Sequence, residues 1–199
     1  MGSDKAQVVL LATSNLDKLR EITAILGDLP LTFKTLADFP AIDVPEETGS
    51  TFAENARQKA LYYAQATALL TVAEDSGFEV DALNGQPGIH SARYLGADAT
   101  YQERFEVIYR DVSALGATRS AARYVSAVAV ASGSKIVFET RGVVEGELAA
   151  RPAGTGGFGY DPIFTYPPYG KTFGEVSDTD KAAVSHRGLA MRNLRNYLS

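Results

Sequence analysis

Two long stretches of alternating residues, "ARYVSAVAVA" (122–131) and "KIVFETRGVVEGEL" (135–148), are joined by "SGS". Period-two alternation interrupted by so short a polar connection predicts an antiparallel hairpin, which commits the chain to a sheet. What precedes the hairpin decides the kind of sheet. "QVVLLAT" (7–13) is a short apolar stretch read as a buried strand. "LDKLREITAILG" places Leu16, Leu19, Ile22, Ile25 and Leu26 at helical spacing and stops at Gly27. "LTFKTL" reads as a strand and "PAIDVPEETGS" as a loop. "TFAENARQKALYYAQATALL" starts with Thr51 and Glu54 in capping-box register and predicts a long helix. "LTVAED" predicts a strand ending at two acids, "GFEVDAL" a separate one, and "NGQPGIHSARYLG" a loop. "TYQERFEVIYRDVSAL" is an amphipathic helix, and "DTDKAAVSHRGLAMRNLRNYL" carries a terminal one. Strands interleaved with helices, then a hairpin, predict an α/β fold built on a mixed sheet.

At 199 residues the chain suits a single domain, 1–199, with room for two lobes and a substantial core. Its net charge of −5 opposes a broad nucleic-acid-binding face, because such binding relies on Lys and Arg neutralising phosphates. One small anionic ligand remains compatible with it. Cysteine is absent, which excludes disulfides, thiolate metal sites and cysteine nucleophiles, and two histidines, His90 and His186, are too few for a histidine-built metal site. No apolar stretch approaches the roughly 20 residues that cross a bilayer, so no membrane partner is expected. The start "MGSDKA" has no apolar signal segment and carries Ala6 where a myristoylation motif wants Ser or Thr. The expected location is cytoplasmic.

"GTGGFG" (154–159) satisfies G-x-G-x-x-G, yet a dinucleotide site needs a strand before the glycines and a helix opening within them. Pro152 interrupts the preceding "ELAARPA", and three prolines in the following eleven residues, "YDPIFTYPPYG", forbid a helix. The dinucleotide reading fails. "GKT" at 170–172 likewise echoes a P-loop, but Thr165 stands where the first glycine belongs, leaving Lys171 a loop lysine.

Four other stretches could carry chemistry. In "ATSNLDK", a strand turns into a helix whose free N–H groups and positive end suit an anion, with Lys18 one turn in; an ordinary cap by Asn15 with a solvated Lys18 explains the same residues. In "EETGSTFAENARQKA", Asn55 and Lys59 share a helix face behind the loop acids Glu46 and Glu47, which is also what a capped solvent face looks like. In "VAEDSG", two acids at the end of a buried strand are costly unless they bind metal, pair or titrate. Asp75 is the functional candidate there, Glu74 the structural one, and removing an uncompensated charge at Asp75 should leave folding intact or slightly improved. In "TDKAAVSHRG", Lys181, His186 and Arg187 gather at a helix start, a poor place for cations without an anionic or carbonyl-bearing ligand; a solvated basic patch is the other reading.

Together, "TSNLDK", "EETGSTFAENARQKA", "EDSG", "GQPGIHSARY", "PAGTGGFGYDPIF" and "SHRG" occur in the order and spacing of the inosine triphosphate pyrophosphatase family, which the chain resembles over nearly its whole length. Two departures stand out: Glu74 where bacterial relatives usually have aspartate, and His90 where an aromatic is common. The resemblance implies a long mixed β-sheet flanked by helices, with two lobes around a central active-site cleft, usually in a homodimer. It implies hydrolysis of deaminated purine nucleoside triphosphates such as ITP, dITP and XTP, with Mg²⁺ as cofactor and water attacking the α-phosphorus. Carried over residue by residue, it places Thr13, Ser14, Asn15, Leu16, Asp17, Lys18 and Lys59 on the triphosphate. Glu46 and Asp75 fall on the metal, with Asp75 also the general base, and Ser76 on substrate. Phe158, Gly159, Tyr160, Asp161, Lys181, His186 and Arg187 fall on the nucleoside. The glycines would then bring the backbone close to a flat base and present Phe158 for stacking. Two other functions compete. Glu46 and Asp75 count against a nucleotide sensor without turnover, and "SHRG" and "GGFGYDPIF" count against a pyrophosphatase for modified pyrimidines.

Overall fold

The computed structural model describes residues 6–199. Most of the "MGSDKA" start, on which the reading of the N-terminus rests, lies outside the described residues. Strand β1 (Val8–Leu11) leads into helix α1 (Leu16–Leu26), then β2 (Thr32–Thr35) and α2 (Phe52–Thr67). The strand β3 (Leu70–Val80) is followed by the short β4 (Gln86–Pro87) and α3 (Tyr101–Ala114). The predicted hairpin is present as β5 (Ala121–Ser132) and β6 (Lys135–Leu148), turning at Gly133, whose φ of +56° suits a residue without a side chain. Two short strands, β7 (Phe164–Tyr166) and β8 (Lys171–Thr172), precede α4 (Asp178–Val184) and α5 (His186–Leu198).

The strands lie in one mixed sheet in the order β2-β1-β3-β5-β6-β7-β8, with β4 paired to β3 beside that path. β1 runs parallel to both β2 and β3, with Val9 opposite Phe33 and Leu70. β6, β7 and β8 pair antiparallel, with Leu148 opposite Phe164 and Thr165 opposite Thr172. The mixed sheet flanked by helices is therefore as the sequence predicts.

Two local expectations are corrected. "LTVAED" and "GFEVDAL" are not two strands but one, because Ser76 and Gly77 stay extended within β3 and both acids find partners. The terminal helix is two helices, broken where Ser185 leaves helical geometry at ψ 159°. The proline-rich stretch after Tyr160 still contributes β7 and β8, since Pro162, Pro167 and Pro168 fall in 3₁₀ turns flanking the strands rather than in their ladders.

The chain forms two compact units. The first comprises the described residues up to Asp75, together with Ser126–Gly142 and Arg187–Ser199. Its core packs Val9 and Leu11 of β1, Ile22 and Leu26 of α1, Val72, Val128, Val130, and Met191 and Leu194 of α5. The second comprises Ser76–Val125 and Val143–His186. Its core is aromatic, with Phe78, Phe105, Tyr124, Tyr160, Phe164 and Phe173 closed in by Ile108 and Val112 of α3. Among the described residues no helix is long and apolar enough to cross a membrane.

Candidate active site

In the first unit, β1 ends at Leu11 and the chain turns through Thr13–Asn15 into α1. Asn15 caps that helix, its side chain accepting from Lys18 N–H at 3.0 Å, while Thr13 Oγ1 accepts from Asn15 N–H at 3.2 Å. The cap reading of Asn15 therefore holds. The solvated reading of Lys18 does not: its side chain is largely buried, with Nζ 3.6 Å from Glu74 Oε2. Burial lowers the Lys18 pKa, and the nearby cations Arg187 and Lys59 add to this against the pull of Glu74 and Asp75. Leu16 and Asp17 flank it on the first turn, and Leu16 is 79% exposed.

Asp75 sits in the middle of β3 and is 6% exposed. Helix α2 brings two side chains to it: Lys59 Nζ lies 3.0 Å from Oδ1, and Asn55 Nδ2 donates to Oδ2 at 3.1 Å. Their spacing of four residues puts both on one face of α2, as the sequence indicates. Thr51 caps that helix by accepting from Glu54 N–H, but Glu54 turns its carboxylate to Ser50 N–H at 2.7 Å, so the capping box is only half built. Lys59 also donates to Glu47 Oε1 at 2.8 Å. Burial opposes its charge, yet Asp75 and Glu47 outweigh it and raise the Lys59 pKa. Glu46, the expected metal ligand, is exposed on the loop one residue earlier, and Ser76 is half-buried on β3.

Glu74 faces a different set of partners. Arg187 Nε reaches both its oxygens, at 2.9 and 3.1 Å, and Ser126 donates its hydroxyl at 2.6 Å. Arg187 continues to Glu21, Nη1 to Oε2 at 2.5 Å. Burial alone would raise the Glu74 pKa; Arg187, Lys18 and Ser126 hold it far below the usual carboxylate range. Burial works against Arg187 too, and Glu74 and Glu21 raise its pKa in spite of it. The structural reading of Glu74 is what the geometry shows. Two of its neighbours have signals in the sequence: Glu21 lies one helical turn after Lys18, and Ser126 is the lone polar residue within "VSAVAVA".

In the second unit, the glycine loop carries Phe158, half-buried, with its N–H donated to Asp161 Oδ2 at 2.8 Å. Lys181 Nζ lies 2.5 Å from the same oxygen and 4.7 Å from the centre of the Phe158 ring. Lys181 belongs to α4, so it does not share a helix start with His186. His186 is buried with its ring 4.6 Å from that of Tyr124 and nearly parallel to it. The Tyr160 ring belongs to the core, stacked on Phe78, and its hydroxyl donates to Ser91 C=O at 2.8 Å.

The protein itself explains two of the glycines. A Cβ on Gly154 would come within 2.1 Å of the Gly174 carbonyl, and one on Gly157 within 2.1 Å of the Asp161 carboxylate. Both also have positive φ, +80° and +65°. Gly159, at φ +66°, leaves ordinary contact distance to the Tyr101 ring.

A strand-to-helix turn, two largely buried lysines and a buried carboxylate make an arrangement that can receive an anion. The chain belongs to the Ham1 family, whose pattern matches residues 9–197. It is similar to the dITP/XTP pyrophosphatase of Thermus thermophilus, 46% identical over 186 residues that cover 94% of this chain and 89% of that protein. The Escherichia coli dITP/XTP pyrophosphatase is 41% identical, with 96% and 98% covered. Among solved structures, a HAM1 protein from Coxiella burnetii superposes with a TM-score of 0.90 at 38% identity, covering 96% of this chain and 98% of that one.

Proposed function

We propose that this chain, acting as one catalytic domain over 1–199, hydrolyses deaminated purine nucleoside triphosphates (ITP, dITP and XTP) to the monophosphate and pyrophosphate. The near full-length likeness to dITP/XTP pyrophosphatases carries the substrate class. The geometry supplies the chemistry. The turn at residues 13–18, through the N–H groups of Ser14, Leu16 and Asp17 and the side chain of Lys18, receives the triphosphate together with Lys59 and balances charge as pyrophosphate leaves. Asp75, oriented from both sides by Lys59 and Asn55, positions the attacking water and takes up its proton. Ser76, the next residue on β3, adds a hydroxyl for the substrate.

The residues also fit Mg²⁺. Asp75 and Glu46 offer hard carboxylate oxygens and leave the rest of a six-oxygen shell to other ligands. That suits an ion which keeps waters and phosphate oxygens in its shell. When bound, it would neutralise phosphate charge as a Lewis acid.

Phe158 stacks on the base in this reading, with Gly159, Tyr160 and Asp161 shaping the loop around it. Lys181 and His186 supply donors suited to a 6-oxo purine. Arg187 can add only those donors not turned to Glu74 and Glu21. Adenine would face the same donors with an amino group, leaving them unpaired. We take the working form to be a cytoplasmic homodimer on the strength of the family resemblance, with sedimentation of the purified protein as the check.

The reading is tested by incubating the protein and Mg²⁺ with a panel of nucleoside triphosphates and separating the products. ITP and XTP should be cleaved well ahead of ATP, to the monophosphate and pyrophosphate; diphosphate and orthophosphate as first products would overturn the mechanism. Phe158→Ala should weaken substrate binding by about 1–3 kcal/mol. It should barely move the melting temperature, because Phe158 is only half-buried. An unchanged KM with a large loss of Tm would make the ring a packing residue instead.

A further inference from the structure

Tyr124, in the alternating stretch "ARYVSAVAVA", touches two members of the proposed base-binding set, Asp161 and His186. It lies on β5, is 7% exposed, and stacks in parallel on His186 at 4.6 Å. Its hydroxyl donates to Asp161 Oδ1 at 3.1 Å. An ionised carboxylate can only accept, so the hydrogen on that bond is Tyr124's own. Burial and the Asp161 charge keep the phenol protonated.

We propose that Tyr124 is a positioning residue for base selection, because one side chain orients both the Asp161 carboxylate and the His186 ring. This rests on the reading of Phe158, Lys181 and His186 as the base-binding set. Asp161 ties the Phe158 backbone to Lys181. Its Oδ2 accepts from Phe158 N–H at 2.8 Å and lies 2.5 Å from Lys181 Nζ. The bond from Tyr124 to Oδ1 sets the rotation of the carboxylate and so aims Oδ2 at both. Beneath that carboxylate the backbone passes at Gly157, where even a methyl group would come within 2.1 Å of Oδ2. The carboxylate therefore acts as a clasp: it fixes the backbone that presents Phe158 and the ammonium over the Phe158 ring. Tyr124 also sets the plane of His186 by stacking on it, and turning that plane re-aims the ring nitrogens. An aromatic ring at 124 without a hydroxyl would preserve the stack and lose the clasp, and an aliphatic residue would lose both.

The test uses the full chain with Tyr124→Phe and Tyr124→Leu, assayed with Mg²⁺ on ITP, XTP, GTP and ATP, alongside melting curves and the Kd for inosine monophosphate. Tyr124→Phe should raise KM for ITP about 5- to 10-fold with kcat within about threefold, the size expected for one hydrogen bond to a charged group acting at one remove. Tyr124→Leu should also cut the preference for ITP over ATP by about tenfold. Asp161→Asn combined with Tyr124→Phe should be clearly less than additive in KM, since both act on one clasp. Lower Tm with parental KM and parental preference would overturn the proposal, and so would full additivity. If Tyr124→Leu fails to fold, Tyr124→Phe, which keeps the ring, still decides. Failure of the unaltered protein to cleave ITP would sink the proposed reaction instead, while the monophosphate Kd of the variants would still report on Tyr124.

Discussion

Asp75→Asn is expected to lower kcat on ITP at saturating Mg²⁺ by at least about 10²-fold, the low end for losing a positioned general base. Asparagine keeps the size of the side chain and can still meet Asn55, but it neither takes a proton nor carries charge. The sequence suggested that removing this charge would leave folding intact or improve it. The geometry reverses that expectation. Asp75 is compensated by Lys59 at 3.0 Å, so the variant leaves a largely buried ammonium that still pairs with Glu47 at 2.8 Å but has lost the Asp75 charge. Tm should therefore fall modestly while kcat collapses. Activity within a few-fold of the parent would move the catalytic assignment away from Asp75.

Glu74→Gln should have the larger effect on stability. Removing one member of a buried pair costs about 3–5 kcal/mol, and the lower end applies because Glu21 still faces Arg187. For a chain of this size that is a fall in Tm of about 6–12 °C. Glu74→Gln combined with Arg187→Met should recover part of the loss, because no buried charge is then left without its partner. The pH dependence has a definite sign. The folded-state pKa of Glu74 is depressed, so its contribution is complete above the ordinary glutamate value of 4.5 and drains away as pH falls below it. Melting temperatures of parent and Glu74→Gln should draw together in acid. A constant gap from neutral pH down to acid would show that the ion pair is not its source.

The parts of this structure that local pattern dictates were legible in advance. α1 begins at its asparagine cap and stops at Gly27, and the hairpin turns at Gly133 between the two alternating strands. What could not be read is what tertiary partners decide. Glu74 and Asp75 look like the end of a strand, since unpaired acids would end one; with Arg187 and Lys59 against them, β3 runs straight through. The prolines after Tyr160 hide β7, whose pairing to β6 depends on a residue alignment no local window contains. The same holds for the site. Its elements could be named from motifs, and Asn55 and Lys59 were correctly placed on one helix face. That Glu47 rather than Glu46 reaches Lys59, and that Arg187 turns to Glu74 and Glu21, are choices of side-chain reach.

The cluster around Arg187 also sets a schedule for the growing polypeptide. Arg187 bonds to Glu74 and Glu21 from 113 and 166 positions away along the chain. Closing loops of that length is entropically costly and slow compared with forming α1 or the β5–β6 hairpin. A ribosome that has finished the turn at residues 13–18, both lysines and Asp75 has therefore made most of the candidate groups of the first unit while Glu74 still lacks its arginine. Until Arg187 emerges, that carboxylate has Lys18 and Ser126 to turn to but lacks its bidentate guanidinium partner. The ion cluster that joins β3 to α1 is therefore completed late, by one arginine, well after the carboxylates it serves have been made.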